Sequence, residues 1–407
     1  MSARQRKNMT RKPSTAMVRQ LFGIIFLSFV AQIVQIGILP PLIALRLSQA
    51  QESAPVVGVV ASAPWIAILL FGHFVPRVLK RYGFIVTTII SSTFSLWAVI
   101  GISLTAKPAI LFALNLLSGI GFIMRCIACD TWIVLVAAPQ IRGRAIGVHE
   151  ALMGCGIAAG PLVLTLIGVN GMLPVIACAV LLSVSTITLM FLPSVNDWPD
   201  IPDKGMAAAI IRFIPTAIVA AFVAGFIEIS SVSFLPVYAE QHFSNVAITT
   251  GSVVFGAGIT VMQVPLGWLA DRIGCRYTEL ISIIVIGLGA ILLPVLAAHP
   301  FPLLVMLFFW GGATGSMYTL AVADAGQRVN NKQVSTAMMG IAMSYTTGGA
   351  LGAVVTGFAT SWLAIGGLSF TGIVAAIGFI LVWSFNARQS PQGTLGSQEA
   401  SLNSVDT

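Results

Sequence analysis

"GWLADRIGCR", residues 267–276, places one acid and two arginines within ten positions of a 407-residue chain of which only 8% is charged. A weaker copy, "GHFVPRVLKRYG", stands at 72–83, and Gly72 precedes Gly267 by roughly 195 positions. Nearly the same spacing relates Leu39 and Pro40 to Leu235 and Pro236, and Asp130 to Asp324. Three matches in the same order mark an internal duplication. The charged stretch is therefore a feature of a repeated unit.

The repeated unit is apolar. With 57% hydrophobic residues and a mean hydropathy of +0.96, the chain has more apolar surface than soluble cores of this size can bury, so its solvent is lipid. Runs of about 20 apolar residues, the length that spans the hydrocarbon layer as a helix, fall near 19–43, 55–76, 83–105, 109–133, 145–168 and 171–193. A second set falls near 209–238, 247–270, 276–298, 301–324, 334–360 and 364–386. They are too long, and too weakly alternating, for spanning strands. The expected fold is an all-α integral membrane protein with 12 transmembrane helices in two pseudo-symmetric six-helix bundles. The bundles occupy 19–193 and 209–386, flanked by a basic tail (1–18) and a disordered tail (387–407). "SVNDWPDIPDKG" opens the polar linker at 194–208.

Charge sets the orientation. Of the 21 basic residues, all but Arg46, Lys107 and Arg125 fall on one side of a twelve-helix arrangement, which the positive-inside rule makes cytoplasmic. Both termini are then cytoplasmic, and the first apolar run, too long for a signal peptide and without a cleavage site, is a retained helix. The net charge of +8 is topological and requires no nucleic-acid partner. Cys126 and Cys129, with the spacing of a redox or metal pair, read better as small packing residues inside a helix.

The pattern Gly267, Asp271, Arg272, Gly274, Arg276, in the loop between the second and third helices of a half, resembles the cytoplasmic loop signature of the major facilitator superfamily. That resemblance spans the chain and implies a carrier that rocks one half against the other around a central site. It also implies that Asp271, Arg272 and Arg276, with Asp130, Arg142, Asp324 and Arg328 at nearby helix ends, form a gate of exchangeable ion pairs. In the amino-terminal copy Pro76 stands where the acid belongs, so Asp271 is expected to dominate the latch. "GIAAGP", 156–161, resembles the glycine-proline element of antiporter branches. Gly156 and Gly160 share a helix face that permits close packing, and Pro161 frees a carbonyl.

Ionisable groups at membrane depth are candidates for function. Glu228, in the seventh helix, has Gln32 as its counterpart in the first, and the resemblance places these two helices across the cavity from each other. Glu228 and Glu150 are therefore candidates for proton coupling. Arg125 is expected to pair with Asp130 or Glu150, while His149 and Glu150, about 100° apart on a helix, are not a pair by adjacency alone. Gln32, Gln35, Trp65, Asn115, Glu228, Gln263, Trp310, Tyr318 and Tyr345 make the candidate substrate set. Amides and aromatic faces of this kind suit a neutral heterocyclic or hydroxylated solute such as a riboflavin-like vitamin, a nucleoside or a sugar. Amphipathic drugs expelled by proton antiport, and a lipid flippase, are the alternatives.

No phosphate-binding loop, hydrolase constellation or metal cluster is evident, so neither an enzyme nor an ATP-driven pump is expected, and no cofactor or metal is called for. The expected partners are a small-molecule substrate, membrane lipid and protons. One chain holds both halves and is expected to work as a monomer in a bacterial inner membrane.

Overall fold

The computed structural model describes residues 15–137, 141–192, 214–242, 250–329, 334–363 and 366–389. Helices dominate the described residues. The first span combines α1 (Thr15–Gln32), a π-helical turn (Ile33–Ile38) and α2 (Leu39–Gln49). Pro40 and Pro41 cause the irregular turn: neither has an N–H to return to the preceding turn, and the Leu39 N–H reaches back five residues to the Val34 carbonyl.

Next come α3 (Ala54–Phe71), α4 (Val75–Leu104), α5 (Pro108–Val136), α6 (Arg142–Ile167) and α7 (Leu173–Thr188), spans two to six. The apolar stretch Ala54–Leu104 runs for 51 residues, more than twice a bilayer, and turns back at its centre. The reversal uses Gly72–Phe74 and Gly83, whose φ of 77° suits a residue without a side chain. Gly274, φ 89°, ends the corresponding loop of the second half.

That half contains α8 (Pro215–His242), an eighth span made of α9 (Thr250–Val261) and α10 (Gln263–Ile273), then α11 (Cys275–Leu296), α12 (Pro300–Arg328), α13 (Val334–Trp362) and α14 (Gly367–Gln389). Counting Ala54–Leu104 as two gives the twelve spans expected from hydropathy, in two halves of six. Helix begins at Thr15, ahead of the expected start at 19. The linker at 194–208 lies outside the described residues.

The duplication is visible in burial. The first and seventh spans are each 83% buried across their most apolar window, so they occupy equivalent central positions. Small residues bring helices together: Gly225, Gly348 and Gly352 let the backbones of α8 and α13 meet, and Gly58 and Gly357 do the same for α3 and α13 across the two halves.

Contacts between the halves are unevenly distributed along the membrane normal. Near the end opposite the basic loops, Gln49 on α2 donates to Glu240 on α8 at 3.2 Å, and Ala54 and Gly58 pack against Gly357 and Ala353. Midway, Gly256 on α9 faces Ala158 on α6. Toward the basic end the fourth span makes at most marginal contact with the tenth and eleventh. Among the described residues, then, the halves meet closely away from the basic end and less closely toward it.

Candidate functional site

The less closely joined region is built around Arg125 on α5, which is 1% exposed. Three residues of the first span, Ser28, Gln32 and Gln35, lie four and three positions apart and so share one helix face. Arg125 donates through Nε to Gln35 Oε1 and through Nη2 to Gln32 Oε1, both at 2.8 Å, and through Nη1 to the carbonyl and hydroxyl oxygens of Ser28. Gln35 passes its amide proton to Ser95 on α4 at 2.7 Å. The π-helical turn that proline imposes is what carries Gln35.

This cage corrects the expected ion pair. Among the described residues Arg125 makes no salt bridge; neutral oxygens satisfy it, and its guanidinium lies over Phe122 with 5.3 Å to the ring centre. Asp130 and Glu150 instead face His149 on α6, whose Nδ1 is 3.5 Å from Asp130 and 3.9 Å from Glu150. The carboxylate of Glu150 thus reaches the neighbouring ring despite the 100° between successive helix positions. His149 Nε2 lies 2.9 Å from Ser28 Oγ, so the ring links the acids to the cage. Both carboxylates are 56% exposed although they lie within spans.

An aromatic belt crosses from this half to the other. Phe122 meets Trp65 edge-on at 6.2 Å, Trp65 meets Tyr345 at 5.9 Å, and Tyr345 meets Tyr318 at 5.1 Å. Tyr345 lies beside Glu228, a buried carboxyl on α8. Tyr318, on α12, is within electrostatic reach of Glu150 and Asp130 of one half and of Glu228 of the other.

Other candidates lie elsewhere. Asn115 donates to the Val60 carbonyl at 2.8 Å and fastens α5 to α3. Trp310 is enclosed in the second bundle beside Phe255, Gly289 and Gly372. Gln263 begins α10, below the belt on the way to the basic end. Gly156 packs on Gln32 and Gly160 on Gly37, so "GIAAGP" holds α6 against the first span, with Pro161 inside the helix.

The signature loop lies at the basic end. Asp271 and Arg272 are exposed, and Asp271 forms no ion pair among the described residues. Asp324 is held within its own helix by Arg328 at 2.7 Å. The side chain of Arg142 lies outside the described residues. Buried nearby is Glu279 on α11, both of whose carboxylate oxygens lack a hydrogen-bond partner, as does Arg276 Nε. Sequence reasoning passed over Glu279, three residues beyond the signature, and over Ser28 and Phe122, and it set His149 aside as a partner of Glu150. The Ser28, Gln32, Gln35 spacing was the available signal for the cage.

The Major Facilitator Superfamily model matches residues 21–251 and 217–405. The chain is 26% identical over 303 residues to the uncharacterized MFS-type transporter YfkF of Bacillus subtilis, covering 70% of this chain and 75% of that one. It is 23% identical to the uncharacterized MFS-type transporter YcaD of Salmonella paratyphi B, covering 78% and 83%. Among solved structures, a D323A mutant of the nucleoside transporter NupG matches with a TM-score of 0.74 at 15% identity, covering 90% of this chain and 98% of that one. A D-xylose-proton symporter matches with 0.72 at 12% identity, covering 89% and 96%. The twelve spans, their two halves and these matches make the chain a multi-pass membrane transporter belonging to the Major Facilitator Superfamily.

Proposed function

We propose that the chain carries small organic cations with an aromatic body across the bacterial cytoplasmic membrane by alternating access, exchanging them for protons at Glu228. The basic end is cytoplasmic, so the cavity in this conformation faces the cell interior. The halves at 19–193 and 209–386 move as the two rocking units, and Asp271 of the signature loop engages when the basic end closes.

One observation supports this reading above others: Asp130 and Glu150 on one half and Glu228 on the other face a single aromatic belt, while Arg125 is enclosed by oxygens. Carboxylates beside aromatic faces attract a desolvated organic cation. The Gln32 and Gln35 carbonyls, expected to bind a neutral solute, are spent on Arg125. Exchange follows from mutual exclusion, because a carboxyl that holds a proton does not hold the cation.

A second reading, uptake of a neutral heterocyclic or hydroxylated nutrient, is favoured by the Tyr318 and Tyr345 hydroxyls and by two structural neighbours, one titled a nucleoside transporter and one a D-xylose-proton symporter. A thermal-shift panel separates the two. At 100 times its dissociation constant a ligand stabilises by about 2.7 kcal/mol. 1-Methyl-4-phenylpyridinium is expected to stabilise the wild type but not Glu228→Gln. Stabilisation by uridine, riboflavin or xylose alone would establish the second reading, and phospholipid movement without any solute effect would establish a flippase.

A further inference from the structure

Ser28 Oγ has one hydrogen and four polar neighbours, Arg125, His149, Met153 and Cys129. Arg125 only donates, so the oxygen always accepts from Nη1. The single hydroxyl hydrogen then goes either to His149 Nε2, 2.9 Å away, or to a sulfur, Met153 Sδ at 3.4 Å or the neighbouring Cys129. Which one it takes depends on His149. A singly protonated ring with its hydrogen on Nδ1, toward Asp130, leaves Nε2 to accept from Ser28. A doubly protonated ring donates at both nitrogens, and the Ser28 hydrogen must turn to the sulfur of Met153 or Cys129.

We propose that Asp130 and His149 form a proton-binding site in the amino-terminal half, whose occupancy Ser28 passes to Arg125. The route is continuous: Asp130 meets the cavity water, His149 is 3% exposed behind it, and Ser28 joins His149 to the cage. A proton from the cavity enters at the Asp130–His149 contact and leaves by the same contact when the cavity faces the other side. No bond other than N–H and O–H changes. Loading turns His149 into a second cationic donor to the Ser28 oxygen that already accepts from Arg125, which loosens the hold of the first span on α5. The charged and titratable groups around the ring are Glu150 on its own helix, Arg125, Asp130, Cys126 and Cys129 on α5, and Tyr318 across the cavity on α12. The first span contributes Ser28, which is neutral. This site requires neither Glu228 nor any particular solute.

The test reads nitrogen atoms directly. The chain has four histidines, and ¹⁵N labelling of histidine and arginine in lipid nanodiscs, with His149→Gln and Arg125→Lys for assignment, resolves both groups. Between about pH 3 and 8, the His149 signals should pass from the singly to the doubly protonated form, with a midpoint displaced in both Asp130→Asn and Asp130→Glu. The Arg125 Nε signal should follow the same curve in the wild type and stay still in Ser28→Ala, while His149 continues to titrate. A His149 signal that ignores pH overturns the proposal, as does a midpoint that neither Asp130 variant moves. So does an Arg125 signal that responds equally without the Ser28 hydroxyl. Asp130, His149 and Glu150 offer ligand atoms within 4.8 Å of one another, so a His149 signal that moves only with added Zn²⁺ also overturns it, in favour of a divalent-metal site.

Discussion

Replacing Gly160 by alanine tests the contact on which the Arg125 cage rests. A methyl group there meets the Cα, carbonyl carbon and carbonyl oxygen of Gly37, closer than real Cβ atoms approach. All three are backbone atoms, so no side chain can rotate away and α6 must separate from the first span. That separation also disturbs Gly156 against Gln32, one of the two amides that hold Arg125. Overpacking of this kind costs about 1–3 kcal/mol, against a helix-propensity gain of about 1 kcal/mol for glycine to alanine. With an immovable obstacle the upper part of the range applies, leaving a net loss of about 1–2 kcal/mol. Gly378, on α14, is the control, because a methyl there meets nothing within 4 Å. Thermal unfolding in detergent, followed by the monodisperse fraction, should rank Gly378→Ala at or above wild type, Gly160→Ala below it and Gly160→Leu lowest. Gly160→Ala as heat-stable as Gly378→Ala would refute the close approach.

Arg125→Lys should lose stability in the same assay by about 2–4 kcal/mol, since an ammonium cannot bridge Gln32, Gln35 and Ser28 as the planar guanidinium does; a wild-type melting temperature would contradict the cage. Glu279→Leu should be neutral or raise the melting temperature, because two unpartnered buried oxygens are replaced by an apolar group of similar size. A clear fall would mean that Glu279 has a partner in this state. Asp271→Asn should leave the melting temperature unchanged, because the carboxylate is exposed and unpaired here, and should reduce flux in proteoliposomes; full flux would remove Asp271 from the gate.

Hydropathy disclosed the twelve spans because lipid demands long apolar helices whatever their neighbours. The duplication also showed through, since its charged loops and glycine reversals are local features. The cage did not, because a buried arginine needs counterparts, and spacing alone does not say whether carboxylates or neutral oxygens provide them. Asp130 and Glu150 were nearby in sequence, yet Ser28, Gln32 and Gln35, some 90 positions away, satisfy Arg125. Trp310 shows the same limit: its type suits a lined cavity and a packed core equally, and only the tertiary fold encloses it beside Phe255. The signature loop was legible because its glycine and charges are local, whereas the partner of Asp271 was not: Asp271 is exposed and makes no ion pair among the described residues.

Exchange at Glu228 is measured most directly in proteoliposomes loaded with 1-methyl-4-phenylpyridinium and given an inward-directed proton gradient. The wild-type protein is expected to expel the cation faster as the gradient steepens, and Glu228→Gln to lose that dependence while remaining folded. Release that ignores the gradient in the wild type, or that keeps its dependence in Glu228→Gln, would contradict the account.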